Sequence, residues 1–266
     1  MTDRDKLKRL LESSVYDNAV KTVSNYLHRN LIASLGGSWS ALRKEYGLYT
    51  IKARPKETDR TLQKFDNLKK DNPITSENFY AFMPDLAAAR LLIVDPTDIF
   101  PLAEKVRRSC VTPVFESAGP FFEKLRLRHG RLSAYNADLI DKFRAAGYVP
   151  NLEEAGYCSV HFVFRIGEDF FSRSNEECIM KLADSDVIPK CQWHVEIQIR
   201  TLMEEAWGET DHFVRYANPE MRKNPAIKSH FAALSGYLQA ANYHVSLIRE
   251  LARNNNHLEL TRTQNK

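Results

Sequence analysis

Residues 193–200 read Trp-His-Val-Glu-Ile-Gln-Ile-Arg, a stretch in which apolar and polar side chains alternate without a break. This period of two predicts a β-strand, because successive side chains of a strand point to opposite faces of the sheet. The apolar face carries Trp193, Val195, Ile197 and Ile199, and the polar face carries His194, Glu196, Gln198 and Arg200. The stretch therefore predicts a strand that presents titratable groups on one of its faces.

Two further stretches share this alternation. Residues 157–166 place Tyr157, Ser159, His161 and Arg165 on one face of a predicted strand. An antiparallel sheet with one face in water gives the same pattern, so a single strand of this kind is not evidence of a site. A third strand at residues 49–54 favours a site, because Lys52, Arg54 and the following Lys56 line up three cations at alternate positions.

Two carboxylates, Asp85 and Glu196, stand among apolar neighbours, where an unpaired charge is unfavourable. Mg²⁺ is usually held by one or two carboxylates together with phosphate oxygens, and lysine and arginine neutralise a phosphoryl group in transfer. These residues are therefore candidates for a metal site or a general base. The alternative is a buried salt bridge, for instance between Asp85 and Arg90. The sequence has no Walker phosphate-binding loop.

The rest of the chain predicts a mixture of helices with one more strand, and hence an α+β fold. Residues 81–94 are predicted as a central strand with a helical lead-in. Helices are predicted within residues 5–35, 58–70, 138–146, 201–216 and 225–253, and another from about residue 98.

Composition and residue spacing exclude several classes of protein. The chain has 43% hydrophobic and 27% charged residues, a net charge of +4, and no apolar run long enough for a membrane span. The charged start lacks a secretion signal, which predicts a cytoplasmic protein without a membrane partner. Zinc is disfavoured because Cys191 and His194 would point to opposite faces of a strand. Ser159 and His161 lack the nucleophile elbow of a hydrolase.

Four blocks of the sequence, taken in order, resemble the RelA/SpoT-type (p)ppGpp synthetase domain, as found in small alarmone synthetases. They are Arg54-Pro-Lys56 with Lys64; Asp85 to Arg90; Gly156-Tyr157-Cys-Ser159-Val-His161; and Val195-Glu196-Ile-Gln198-Ile-Arg200-Thr201, followed by Trp207, Asp211-His212 and Arg215-Tyr216. The resemblance implies a nucleotidyltransferase-like mixed β-sheet flanked by helices. It also implies a helical segment at 1–45 packed on the domain, a synthetase domain at 46–216, and a C-terminal helical extension at 217–266.

The resemblance further implies an ATP-dependent, Mg²⁺-dependent transfer of pyrophosphate to the 3′-hydroxyl of GDP or GTP. By this resemblance Arg54, Lys56 and Lys64 bind ATP, while Asp85 and Glu196 are catalytic and hold the metal. Glu196 also orients or deprotonates the acceptor hydroxyl. The acceptor is bound by Tyr157, which stacks on guanine, and by Ser159, His161, Gln198 and Arg200. Assembly into a homo-oligomer through residues 225–253 is a further expectation.

The sequence departs from the family pattern in the acceptor loop. A lysine and an arginine of the family are replaced by Glu153 and Cys158, and a glycine is replaced by Ala88. Because these two cations would contact phosphates of the acceptor, their loss leaves the identity of the acceptor undetermined. The first alternative is therefore a toxic family member that pyrophosphorylates the 3′ end of tRNA or an adenine nucleotide. The second is an inactive nucleotide-binding regulator, which the presence of both Asp85 and Glu196 disfavours.

Overall fold

A mixed β-sheet organises the part of the chain that the computed structural model describes, which is residues 1–83, 85–109, 115–117, 124–128, 134–147, 151–153, 159–166, 194–216 and 218–264. The strands are β1 Leu48–Pro55, β2 Ala87–Ile93, β3 Phe115–Ser117, β4 Lys124–Arg128, β5 Asn151–Glu153, β6 Ser159–Ile166 and β7 His194–Thr201. The helices are α1 Asp3–Leu11, α2 Ser14–Ser34, α3 Trp39–Tyr46, α4 Thr58–Leu68, α5 Phe79–Phe82, α6 Ile99–Ser109, α7 Ala134–Ala145, α8 Leu202–Asp211 and α9 Pro225–Gln264. The predicted α+β fold, a mixed sheet flanked by helices, is confirmed.

The strand order is β1-β2-β7-β6-β4-β5, with β3 also paired to β6. β2 and β7 run parallel, as do β4 and β5, whereas the other pairs are antiparallel. The three stretches with alternating polar residues therefore become β1, β7 and β6. They lie in one continuous sheet, with β2 between β1 and β7.

The register of β1, β2, β7 and β6 aligns the polar residues in rows across the sheet. Arg90 on β2 is opposite Lys52 on β1 and Gln198 on β7, and Gln198 is in turn opposite His161 on β6. In the next row, Ala88 lies between Arg54 and Glu196. Residues far apart in sequence thus form one polar surface on the sheet.

Most of this polar surface is closed to water, although Lys52 on β1 is exposed. From Val195 to Thr201, every residue of β7 is buried, including those of the polar face. The alternative of a sheet with one face in water is therefore wrong for this strand. All of β2 is also buried, and the core beneath it collects apolar residues of α1, α2, α3, α6 and α7.

Most predicted elements are present, with shifted ends. The helical lead-in to β2 is the short α5, and the helix predicted at 201–216 ends at Asp211, from which a π-helical turn, His212–Tyr216, continues the chain. Thr201 caps α8 as expected, because its hydroxyl accepts from the backbone N–H of Glu204. α9 continues to Gln264, beyond the predicted end at residue 253.

Some predictions concern residues that the structure does not describe or boundaries that it does not test. The start of the strand predicted at 157–166 and the connection at 167–190 lie outside the described residues. The domain boundaries after residues 45 and 216 stay predictions. In the described segments, no helix is both long enough and apolar enough to cross a membrane.

Candidate active site

Asp85 lies in the turn that leads into β2, and two lysines hold its carboxylate. Lys56, directly after the end of β1, donates from Nζ to Oδ2 at 2.5 Å, and Lys64 on α4 donates from Nζ to Oδ1 at 2.7 Å. Burial alone would raise the pKa of Asp85, but the two ammonium groups outweigh it and hold this pKa well below its ordinary value. Asp85 is therefore ionised at neutral pH.

Local backbone geometry explains why these three residues meet. β1 ends at Pro55, and the backbone N–H of Lys56 then donates to the carbonyl oxygen of Leu86 at 2.9 Å. This bond fixes the end of β1 beside the turn that carries Asp85. α4 follows, anchored in the core by Phe65, and this places the neighbouring Lys64 beside the same carboxylate.

Glu196 lies on the polar face of β7 and is only 7% exposed. Its Oε1 contacts Nδ1 of His161, and its Oε2 accepts from Nε2 of Gln198 at 2.8 Å. Burial would raise the pKa of Glu196, but the interaction with His161 and the N–H of Gln198 lower it further than burial raises it. The negative charge of Asp85 also acts on Glu196, and in the same direction as burial. The net result is a second carboxylate that is ionised at neutral pH.

A cavity of about 250 Å³ is lined by Asp85, and its wall is mostly charged. It is lined by the cations Lys52, Arg54, Lys56, Arg60 and Arg90, the carboxylates Glu57, Asp85, Glu205 and Glu209, and the apolar Ala53 and Pro55. Such a wall suits a polyphosphate, because the cations can neutralise phosphate oxygens while the carboxylates can share a bound metal ion.

Arg54 differs from the other cations of this cavity in its pairing. Lys56 is paired with Asp85, and Lys52 with Glu205, whereas within the described residues Arg54 forms no salt bridge. Its Nη1 donates a long hydrogen bond of 3.5 Å to Oε1 of Gln198. Burial lowers the pKa of Arg54, and Arg90 adds to this, while Glu196 and Asp85 act in the opposite direction. Arg54 is thus a half-buried cation whose pKa both carboxylates raise.

Arg90 does not pair with Asp85, so the pairing suggested for a buried salt bridge is wrong, although Asp85 does form salt bridges, with Lys56 and Lys64. Nη1 of Arg90 instead donates to both oxygens of Glu205, at 2.7 and 2.6 Å, and to Oε1 of Glu209 at 3.0 Å. Its Nε donates to Oε1 of Gln198 at 3.1 Å. Arg90 therefore links β2 to α8 and lines the cavity.

The predicted acceptor-binding residues that the structure describes contact different parts of the protein. His161 contacts Glu196, and Ser159 donates from Oγ to the carbonyl oxygen of Ile199 at 3.2 Å. Arg200 is 1% exposed, and burial lowers its pKa to about 9. Its guanidinium donates to Oε1 of Gln198 at 2.8 Å and to Oε2 of Glu205 at 3.1 Å, so its described contacts are within the protein interior. Tyr157, like Cys158, lies outside the described residues.

Sequence reasoning missed the acidic residues that α8 contributes. Glu205 and Glu209 line the cavity and bind Arg90, yet neither was a candidate. The only local signal concerns Glu205, which lies in the first turn of a helix, where an acidic residue is usually explained by the helix dipole. Arg60, on α4, was also missed, although it lies four positions before Lys64 on the same helix face.

The donor groups present fit a magnesium ion. Asp85 and Glu196 are both ionised, and they interact electrostatically with each other and with Arg54. Mg²⁺ takes hard oxygen ligands, commonly one or two carboxylates with phosphate oxygens and water. Asp85 supplies such a carboxylate in the wall of the cationic cavity, and Glu196 supplies one in the same row of the sheet as Arg54.

Comparison with solved structures shows which proteins have this fold. Small alarmone synthetase 1 from Bacillus subtilis bound to its product pppGpp has a TM-score of 0.55 and 18% identity, over 86% of this chain and 94% of that chain. The same protein bound to AMPCPP has a TM-score of 0.50 and 15% identity, over 88% and 94%. A GTP pyrophosphokinase family protein from Streptococcus pneumoniae has a TM-score of 0.57 and 14% identity, over 91% and 94%. No protein-family model and no curated protein matches the sequence.

Proposed function

Because the chain has the fold of the small alarmone synthetases, we propose that it transfers pyrophosphate from ATP to the 3′-hydroxyl of GDP or GTP in a Mg²⁺-dependent reaction. The observation that carries this proposal is that two ionised carboxylates act on one cation of the cavity, Arg54, with Glu196 in the same row of the sheet as Arg54. Asp85 lines that cavity, and both Asp85 and Glu196 act electrostatically on Arg54, which lines it too.

In this proposal the basic residues around Asp85 bind ATP, the pyrophosphate donor. Lys56 and Lys64 carry ammonium groups that can bind the phosphates of ATP once these displace the carboxylate of Asp85. Arg54 is the cation whose charge has no carboxylate partner in the described residues, and it can bind a further phosphate oxygen or the adenine. Mg²⁺, held by Asp85 and Glu196, would neutralise charge on the transferring group.

The acceptor side centres on Glu196. The oxygen of the acceptor's 3′-hydroxyl attacks the β-phosphorus of ATP, the bond from that phosphorus to the α-phosphate oxygen breaks, and AMP leaves. Glu196 takes the proton of the hydroxyl, and its contacts with His161 and Gln198 hold the carboxylate in place. Tyr157 stacks on the guanine in this proposal, and Ser159, His161, Gln198 and Arg200 complete the acceptor side directly or through their neighbours.

A direct assay tests the proposal and its alternative together. The protein is incubated with Mg²⁺ and ATP labelled at the γ-phosphate, with GDP, GTP, AMP and deacylated tRNA present in competition. We expect labelled guanosine tetra- or pentaphosphate and one AMP released for each product formed. No labelled acceptor of any kind, with Mg²⁺ or Mn²⁺, would contradict the proposed reaction.

A second acceptor class is favoured by two residues of the acceptor loop. Glu153 and Cys158 stand where the resembled family has cations, so a free guanine nucleotide loses two phosphate contacts. The 3′ end of tRNA or an adenine nucleotide is the alternative acceptor, and the competition assay identifies it by the labelled product. Cytoplasmic location and assembly through residues 225–253 stay predictions.

A further inference from the structure

The buried carboxylate of Glu205 binds three cations, of which Arg90 and Arg200 are buried and Lys52 is exposed. Glu205 lies in the first turn of α8 and is 6% exposed. It accepts from Arg90 at 2.6 Å, from Arg200 at 3.1 Å and from Lys52 at 3.2 Å. Burial would raise its pKa, but Arg90 and Arg200 outweigh burial and lower it. Glu205 is thus the shared counter-charge for cations on β1, β2 and β7.

The two arginines that Glu205 holds also bind one end of Gln198. Nε of Arg90 lies 3.1 Å from Oε1 of Gln198, and Nη2 of Arg200 lies 2.8 Å from it. Arg54 adds a third donor at 3.5 Å. A guanidinium group donates and never accepts, so the end of the amide that faces three of them must be its oxygen.

This arrangement fixes what the other end of the amide does. Nε2 of Gln198 faces Oε2 of Glu196 at 2.8 Å, and it donates a hydrogen bond to that carboxylate. If the amide turned over, its oxygen would face a carboxylate and its NH₂ group would face three guanidinium groups. Both ends would then be repelled, so the orientation of Gln198 is set by the arginines rather than by Glu196 alone.

We propose that Glu205 is a positioning residue for Glu196. By holding Arg90 and Arg200, it keeps the amide of Gln198 turned so that Gln198 donates to Glu196 and fixes the direction of that carboxylate. The inference rests on the proposed function in one respect, because Glu196 is taken as the group that receives the proton of the acceptor. The geometry of the hydrogen-bond chain does not depend on that role.

Kinetics of a double-mutant cycle test the inference. Glu205→Gln removes the charge that holds the arginines, and we expect kcat to fall roughly 10- to 100-fold from the misplacement of Glu196, without a matching rise in KM for ATP. In a Gln198→Met background, the same substitution should have little further effect, because the residue it acts through is gone. If the reductions in kcat of the two single variants multiply in the double variant, the two residues act independently and the proposal is overturned. Glu205→Asp should recover part of kcat.

A matched control separates positioning from loss of stability. Asp98→Asn breaks another buried carboxylate–arginine pair, with Arg249, and Asp98 is not among the described residues that line the cavity. We expect Asp98→Asn to lower the melting temperature and leave kcat unchanged. An equal loss of kcat in this control would overturn the assignment of Glu205.

A measurement without turnover distinguishes failure of this inference from failure of the proposed function. In protein labelled with ¹⁵N-glutamine, the NH₂ signal of Gln198 is identified by its absence in Gln198→Met. We expect one slowly exchanging proton in this group that is lost in Glu205→Gln and kept in Asp98→Asn. If the wild type transfers no pyrophosphate, the proposed function fails. The NH₂ signal then decides by itself whether Glu205 holds the amide of Gln198 in place. A proton that stays protected in Glu205→Gln refutes the positioning role.

Discussion

The ammonium group of Lys64 lies 2.7 Å from Oδ1 of Asp85, while Lys56 occupies Oδ2 of the same carboxylate at 2.5 Å. The proposed phosphate-binding lysines and the proposed metal-binding carboxylate are therefore bound to each other. Asp85 competes with phosphate oxygens for the charge of both lysines, and a metal ion that binds Asp85 would weaken this competition at both lysines. In the proposed reaction, binding of ATP and binding of Mg²⁺ are therefore expected to be coupled through one carboxylate.

Asp85→Asn should strengthen binding of ATP in the absence of metal. The substitution removes the negative charge that competes with phosphate for Lys56 and Lys64. We expect the affinity for ATP in EDTA to rise about tenfold, which corresponds to about 1.4 kcal/mol. Isothermal titration calorimetry at fixed ionic strength measures this, and pyrophosphate transfer with Mg²⁺ should be lost in the same variant.

Asp59→Asn provides the control, because Asp59 is an exposed carboxylate on the same helix as Lys64 and its loss changes the net charge equally. Its metal-free affinity for ATP should match that of the wild type. If Asp85→Asn binds metal-free ATP no better than this control, Asp85 does not compete for the lysines.

Glu196→Gln should abolish transfer without abolishing ATP binding. The amide keeps the size of the side chain but cannot take a proton, and it loses the charge that a metal ion needs. General-base catalysis typically contributes 10²–10⁴-fold, so we expect kcat to fall about 10³-fold. The ATP dissociation constant should stay within about threefold, because Glu196 is not among the described residues that line the cavity. Turnover at the wild-type rate would remove Glu196 from the mechanism.

Local pattern was enough to predict the strands that carry the site. The alternation from His194 to Arg200 and the cations at Lys52, Arg54 and Lys56 depend only on the period of a strand, and these stretches are β7 and β1. Pattern did not predict the pairing of charges. Arg90 is five residues from Asp85, but the register places Arg90 opposite Lys52, while the bond between Lys56 and Leu86 brings Lys56 to Asp85.

Glu205 could not be predicted because its role arises from packing between distant elements. It lies 115 residues from Arg90 and 153 from Lys52, and it meets them only because α8 packs over the polar face of the sheet. The exposure of that face was also not predictable, since alternation is the same whether a polar face meets water or other polar side chains. The structure shows Gln198 and Arg200 buried at 2% and 1% exposure.

Arg249→Gln should destabilise the docking of α9. Nη1 of Arg249 donates to Oδ2 of Asp95 at 3.0 Å and contacts Asp98, and Ser246 donates to Oδ1 of Asp95 at 2.9 Å. Without Arg249, two buried carboxylates face each other. Removing one partner of a buried pair costs about 3–5 kcal/mol, and we expect about 2 kcal/mol here because Arg249 is partly exposed.

Urea unfolding measures this loss, and Glu250→Gln is the control because Glu250 is the exposed neighbour on the same helix. The midpoint for Arg249→Gln should fall while kcat of the folded protein is retained. Equal midpoints in the two variants would show that Asp95 and Asp98 do not depend on Arg249.

His212→Gln should make the stability of the protein less sensitive to acid. His212 begins the π-helical turn after α8, and burial, with the positive charges of Arg60 and Arg54, lowers its pKa from 6.5 to about 4. The folded ring is thus neutral at pH 7 and adds no charge to the cationic cavity. Because the unfolded chain protonates this histidine first, the free energy of unfolding falls as the pH drops from about 6.5 to about 4, and this contribution changes no further below that.

Urea unfolding at pH 7.5, 6.5, 5.5 and 4.5 measures the effect, with His230→Gln, an exposed histidine of α9, as the control. Between pH 7.5 and 4.5 the wild type and the control should lose about 1 kcal/mol more than His212→Gln, a figure reduced for partial exposure of the ring. Parallel curves for all three proteins would show that His212 titrates alike in the folded and unfolded chains. The result bears on function as well, since a protonated His212 would add repulsion beside Arg54 and Arg60.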